Sequence, residues 1–196
     1  MPMIGIRFGG IAVVRPIYED GGVASSVTLT SGRVVTVLRR PQTFVRQILA
    51  YDAIGWREYQ SCFAAAVHGR QSMPVAHRGV VLMTCKMRHP AVAGDPAYGY
   101  VRFDLIERVE EQDGAAILIL RDGTLVDTVV KAATILKDQR RASMLLNSWQ
   151  RGPGSTGDYS DGKGGLLPVR VHRIAAPDEG MGPGSGGTGK PGGAGQ

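Results

Sequence analysis

Ile106–Val130 reads IERVEEQDGAAILILRDGTLVDTVV, and two Asp-Gly pairs, Asp113-Gly114 and Asp122-Gly123, cut it into three segments of strand character. Asp-Gly between apolar alternations favours the tight turns whose twist matches that of paired strands, so this stretch predicts an antiparallel meander. Upstream, Gly10–Ile17 and Val23–Thr30 flank a Glu-Asp-Gly-Gly turn, and Arg33–Leu38 follows a Ser-Gly turn, which predicts a second meander. Between the two, Pro41 stands where a first helical turn tolerates proline. Phe44, Val45, Ile48 and Leu49 recur at helical spacing, giving a helix over Pro41–Ala53. A second helix, Trp56–His68, places Tyr59, Phe63 and Val67 on one face and stops at Gly69.

Gly79–Cys85 is a short, nearly continuous apolar run and reads as a buried strand, followed by a loop and a strand over Tyr98–Phe103. Ala132–Trp149 closes the domain as a helix with an apolar side (Ile135, Leu136, Ala142, Leu145, Leu146) and a basic one (Lys137, Arg140, Arg141). The fold class is α+β: antiparallel β-meanders with a central helical pair and a C-terminal helix.

Residues 1–150 are read as one domain. Fifteen of the 28 glycines follow Gln150, so residues 151–196 read as a flexible tail, too poor in apolar groups to offset the entropy of ordering. Within it, residues 166–174 alternate well enough to add a short strand. The two cysteines, Cys62 and Cys85, have no framework spacing, and the opening MPMIGIRFGG lacks the apolar run of a signal peptide. A cytoplasmic protein is the expectation.

The formal net charge of +6 conceals a division. Residues 33–88 hold nine basic side chains against two acids, Asp52 and Glu58, and residues 89–130 hold three arginines against eight acids. Arginine dominance alone would follow from a GC-rich coding sequence, but that does not remove acids from one stretch. A basic segment beside an acidic one points to a polyanionic partner, because surface Lys and Arg displace the counterions condensed on nucleic acid. The basic residues fall near element ends. Arg39 and Arg40 end a strand, Arg46 and Arg57 decorate helices, Arg70 and Arg78 flank a loop, and Lys86 and Arg88 begin the next. An arginine entering a narrow minor groove meets enhanced negative potential, which suits readout of A·T-rich duplex by shape. Few aromatics stand among these residues beyond Trp56 and Tyr59, which are expected in the core and argue against single-stranded RNA.

Catalysis finds no constellation. Cys62, His68, His77, Cys85 and His89 lack the tight pairing of zinc ligands, so the cysteines read as buried apolar groups and the histidines as titratable surface groups. No nucleophile elbow occurs, GDYSDGKGG lacks the order of a phosphate loop, and Glu107, Glu110 and Glu111 read as a solvated acidic face. No enzyme activity, metal, cofactor, membrane or small-molecule substrate is expected.

The order Trp56-Arg57, Gln71-Ser72-Met73-Pro74-Val75, Val80-Val81-Leu82-Met83-Thr84, Tyr98-Gly99-Tyr100-Val101, Arg121-Asp122-Gly123, and Asp138-Gln139 followed by Leu145-Leu146 resembles the competence transcription factor (ComK) family. Trp56 stands where that family has the glycine of a Gly-Arg pair. The family's C-terminal segment for handover to an adaptor and protease is replaced by the glycine-rich tail, so that control is not carried over. The resemblance implies a transcriptional activator of DNA-uptake genes that binds A·T-rich double-stranded DNA in the minor groove as a homo-oligomer. By position it transfers Arg57, and then Arg70. The expected DNA-binding set is Arg39, Arg40, Arg57, Arg70, Arg78, Lys86 and Arg88. The alternative is a non-enzymatic interaction domain that uses complementary basic and acidic faces.

Overall fold

The computed structural model describes residues 5–63, 73–151 and 170–173. After a 3-10 turn at Phe8–Gly10, strands β1 (Ile11–Glu19) and β2 (Gly22–Leu29) form a hairpin, and β3 (Val34–Val37) completes the first meander. The first turn is made by Asp20 and Gly21, both at positive φ (47° and 73°), the two-residue geometry that follows strand twist. Helix α1 (Pro41–Tyr51) starts on its proline and buries Phe44, Val45, Ile48 and Leu49, ending two residues short of the expected Ala53. Ala53 itself has φ 59°, outside helical space. Helix α2 spans Trp56–Phe63, and its expected continuation to His68 lies outside the described residues.

The segment after Pro74 departs from expectation. Val75–His77 forms a strand, β4, paired antiparallel with β5 (Val80–Lys86). Arg78 and Gly79, at φ 50° and 76°, form the turn between them, so Arg78 caps a hairpin rather than flanking a loop. Strand β6 (Tyr98–Arg102) follows, and a 3-10 turn at Phe103–Leu105 redirects the chain into the second meander: β7 (Ile106–Gln112), β8 (Ala115–Leu120) and β9 (Leu125–Asp127). Both Asp-Gly pairs stand at its turns, Asp113 and Gly114 with φ 52° and 77°. Helix α3 (Ala132–Arg151) comes next. The tail strand expected within 166–174 is present as β10 (Arg170–Arg173).

The strands form two sheets, a six-stranded one in the order β3-β2-β1-β6-β5-β4 and a four-stranded one in the order β10-β7-β8-β9. All pairings are antiparallel except β10 with β7. In the centre of the large sheet, Ile11–Val14 of β1 and Val81–Cys85 of β5 are buried at every position, so both faces of these strands are covered. Strand alternation separates the faces. Val14, Tyr100 and Thr84 are in register on one face, where α1 packs against β6 and Arg46 acts electrostatically on Tyr100. Val13, Val101 and Met83 are in register on the other. Arg15, two residues on from Val13, donates to the Leu125 carbonyl of β9, and Asp138 of α3 acts electrostatically on Cys85. The helical pair therefore lies against one face of the large sheet and the second meander against the other, while the end of α3 reaches α2, where Trp149 stacks on Phe63 with centroids 5.7 Å apart.

Candidate nucleic-acid interface

Arg39 and Arg40 lie between the edge strand β3 and α1, and both are exposed. The Arg39 backbone is fixed because its carbonyl accepts a 2.7 Å hydrogen bond from the buried Ser25 hydroxyl. Arg40 immediately precedes α1 and reaches the segment between β5 and β6, 3.3 Å from the Gly94 carbonyl and 4.0 Å from Asp95. Within α1, the spacing that turns Phe44, Val45, Ile48 and Leu49 inward turns Arg46 outward. Its guanidinium sits 4.6 Å from the Trp56 ring centroid, a cation–π contact. Trp56 is half-buried and stacked on Tyr59 with centroids 5.6 Å apart, so the contact rests on a rigid base. Arg57, the next residue, is exposed at the start of α2.

Two of the other predicted positions, Arg88 and Arg78, make contacts within the protein. Arg88 donates from Nε to the Pro96 carbonyl (3.0 Å) and lies 4.0 Å from the Tyr18 ring centroid, holding the β5–β6 segment against the end of β1. Tyr18 in turn donates to Asp95 at 2.8 Å, so Arg40, Asp95, Tyr18 and Arg88 form one connected chain of contacts. Lys86 is half-exposed at the end of β5, and alternation places it on the same face as Thr84. Arg78 lies at the other end of β5, about 25 Å away at the rise of an extended strand. It contacts Asp52 at 3.2 Å. Arg70 lies outside the described residues.

Arg39, Arg40, Arg46 and Arg57 thus follow one another as exposed positions along β3–α1–α2, Arg88 is joined to Arg40 through Asp95 and Tyr18, and Arg78 is held at the end of α1 by Asp52. Arg46 belongs with the expected set although sequence reasoning left it out. Its signal was the helical period that carried its neighbours into the core.

Six acids lie on the second meander. Glu107 and Asp113 are exposed on the β7–β8 hairpin, as are Asp122 in the turn before β9 and Asp127 at its end. The expectation of a purely solvated acidic face is corrected at two positions. Glu110 is bonded to Arg108 at 2.8 Å, and Glu111 accepts the Ala132 N–H of α3 at 3.0 Å. Arg108 is raised above its ordinary value, first by its hydrogen bond with Glu110. Asp122 is lowered because the Thr124 backbone N–H bonds its carboxylate, which fixes the β8–β9 turn.

Of the five candidate ligands, His77, Cys85 and His89 have described side chains. Cys85 is fully buried, and burial pushes its thiol up to about 12, as expected of a packed apolar cysteine. His89 is exposed, His68 and the Cys62 side chain are not described. His77, expected at the surface, is only 5 % exposed because Phe8 and Trp149 meet its ring edge-on. Its Nε2 lies 2.6 Å from Asp52, whose other oxygen takes Arg78. No group of three or more potential metal ligands occurs among the described residues. Beside this ion cluster runs a groove of about 950 Å³ lined by Ile6–Gly10, the end of α1 and Arg78. No helix among the described residues is long and apolar enough to cross a membrane. Comparison with known proteins returned no matching family model, no matching curated protein and no matching solved structure.

Proposed function

We propose that this chain is a cytoplasmic, non-enzymatic DNA-binding transcription regulator that contacts A·T-rich duplex through the arginines of β3–α1–α2. One observation carries the reading. Arg39, Arg40, Arg46 and Arg57 are all exposed along β3–α1–α2, while six acids between Glu107 and Asp127 lie on the second meander. A run of exposed arginines attracts a polyanion, and Lys137, Arg140 and Arg141 of α3 offset the acids of the meander that precedes them. The side chains are mounted on short, well-packed elements, which suits phosphate and minor-groove contacts at fixed positions.

The order of elements also supports the resemblance to competence transcription factors. Trp56-Arg57 opens α2, Val80–Thr84 lies in β5, Tyr98–Val101 in β6, Asp122-Gly123 turns β8 into β9, and Gln139 is buried on α3. On that reading the protein activates DNA-uptake genes as a homo-oligomer. Anisotropy titration of A·T-rich and G·C-rich duplexes between about 50 and 200 mM salt tests it. A preference for the A·T-rich duplex with affinity falling steeply in salt is expected. Affinity indifferent to salt over that range would overturn the reading.

A further inference from the structure

β7 meets β8 on one side, and on the other it receives a strand from far along the chain. Arg170–Arg173 runs parallel to it, with Arg170 opposite Arg108, Val171 opposite Val109, His172 opposite Glu110 and Arg173 opposite Glu111. Eighteen residues, 152–169, connect α3 to this strand, and an extended chain of that length reaches about 60 Å. Reach therefore does not select the register, and the residue types must.

They are complementary at three of the four positions, the exception being Arg170, which stands opposite Arg108. Val109 is fully buried, so the register places the one valine of β10 beside the one core position of its stretch. Three of the seven residues of β7 are glutamates, and β10 is Arg-Val-His-Arg. The two consecutive glutamates, Glu110 and Glu111, stand opposite His172 and Arg173, although Glu110 also accepts from Arg108 and Glu111 from the Ala132 N–H. Backbone pairing of this kind contributes affinity through the ladder and specificity through alternate side chains, and it also shields an edge that would otherwise invite pairing. The ladder spans four residues and is parallel, the weaker geometry per residue, so it is short enough to exchange.

We propose that the outer edge of β7 is a docking site for an extended basic segment of a partner protein, apolar at its second position and basic at its third and fourth. Arg170–Arg173 is the built-in occupant that the partner displaces. The site is separate from the DNA-binding reading, and its test contains no nucleic acid.

A fluorescent peptide with the sequence of residues 166–176, LLPVRVHRIAA, is titrated into the full-length chain and into the full-length Val171→Pro/His172→Pro variant. Alternate residues of a parallel strand point their N–H groups at the partner, so proline at two successive positions removes at least one ladder bond. A tethered strand competes at a roughly millimolar effective concentration, so the variant should bind the peptide at least about tenfold more tightly than the wild type. Adding Glu110→Gln should weaken the peptide again, and a scrambled peptide of the same composition should bind poorly. Backbone amides of Val109–Glu111 should exchange hydrogen faster in the proline variant, with the thermal midpoint little changed. Equal peptide binding to both proteins, or equal binding of the scrambled peptide, would overturn the proposal. So would a wild-type dimer abolished by the two prolines, which would make the occupant a second copy's tail.

Discussion

The Glu111 carboxylate on β7 accepts a 3.0 Å hydrogen bond from the backbone N–H of Ala132, the first residue of α3. The first N–H groups of a helix have no intrahelical acceptor, and negative charge is favoured at that end of the helix dipole. A strand of the second sheet thus supplies the cap for the helix that packs against β5 and β4 of the first. Glu111→Ala should cost about 1 kcal/mol, the usual value of an N-terminal cap. Glu111→Gln keeps an acceptor and should cost less. Thermal or urea unfolding ranks the three proteins, and a Glu111→Ala variant as stable as the wild type would show that the cap contributes nothing.

Tyr59 performs a similar service between α2 and β4. Its hydroxyl accepts the Ala76 N–H at 2.7 Å and lies 3.4 Å from the Pro74 carbonyl, all in buried surroundings. Tyr59→Phe keeps the ring and strands the Ala76 donor. A buried donor left without a partner costs about 1–3 kcal/mol, so the urea midpoint should fall by that equivalent while the m-value stays constant. A smaller loss would mean that water replaces the hydroxyl.

Gly99 lies where β6 passes between β1 and β5. A Cβ there would run into the Val14 carbonyl oxygen and the Met87 thioether. Methionine can yield, but a strand carbonyl within a sheet cannot, so Gly99→Ala must displace backbone. A loss of about 1–3 kcal/mol is expected, as for other overpacked interiors, measured by equilibrium unfolding. Retained stability would require β6 to shift, which hydrogen exchange at Tyr100 and Val101 would report.

The elements legible from sequence were those written in local chemistry. Both Asp-Gly turns, the proline start of α1 and the buried run of β5 depend on a few adjacent residues, and they stand where the pattern places them. β4 was missed because three residues carry too short an alternation, and because Arg78 is not a residue type that announces positive φ. The split into two sheets was also hidden, since one 3-10 turn at Phe103–Leu105 is all that separates β6 from β7. At the candidate site, local reading placed Arg39, Arg40 and Arg57 at element ends. It could not see that Arg88 is drawn to Tyr18, or that Trp149 and Phe8 bury His77, because those partners come from distant parts of the chain. β10 was visible as an alternating segment, but its partner strand was not.

The alkaline limb of stability has an identifiable source. Burial pushes the Cys85 thiol from 9.0 up to about 12, and it also raises the phenols of Tyr59 and Tyr100. A thiol whose folded value exceeds its unfolded one keeps its proton in the native state while the unfolded chain releases it. Its stabilisation is therefore fully present below about pH 9 and is lost as pH rises toward 12. Cys85→Ala should flatten that part of the stability profile, although it lowers the plateau by leaving a small cavity. In a Cys62→Ser background, Cys85 should react with a disulfide reagent at pH 8 only as fast as the protein unfolds. Rapid labelling of the native protein would contradict its burial.

Arg57 and Arg88 separate a binding role from a structural one. Arg57 is exposed on α2, whereas Arg88 is held by the Pro96 carbonyl and the Tyr18 ring. If Arg57 meets a phosphate, Arg57→Ala should weaken duplex binding, lower the log–log salt slope by about 1, and leave the thermal midpoint within a degree or two. Arg88→Ala should lower the midpoint by releasing the β5–β6 segment, and any loss of DNA affinity should follow that loosening. Arg46→Ala should resemble Arg57→Ala in its salt slope, because its guanidinium lies over Trp56 at the base of the same helix. A salt slope unchanged in both the Arg46 and Arg57 variants would place the duplex elsewhere on the molecule, while equal thermal losses in all three would reduce the helical arginines to packing.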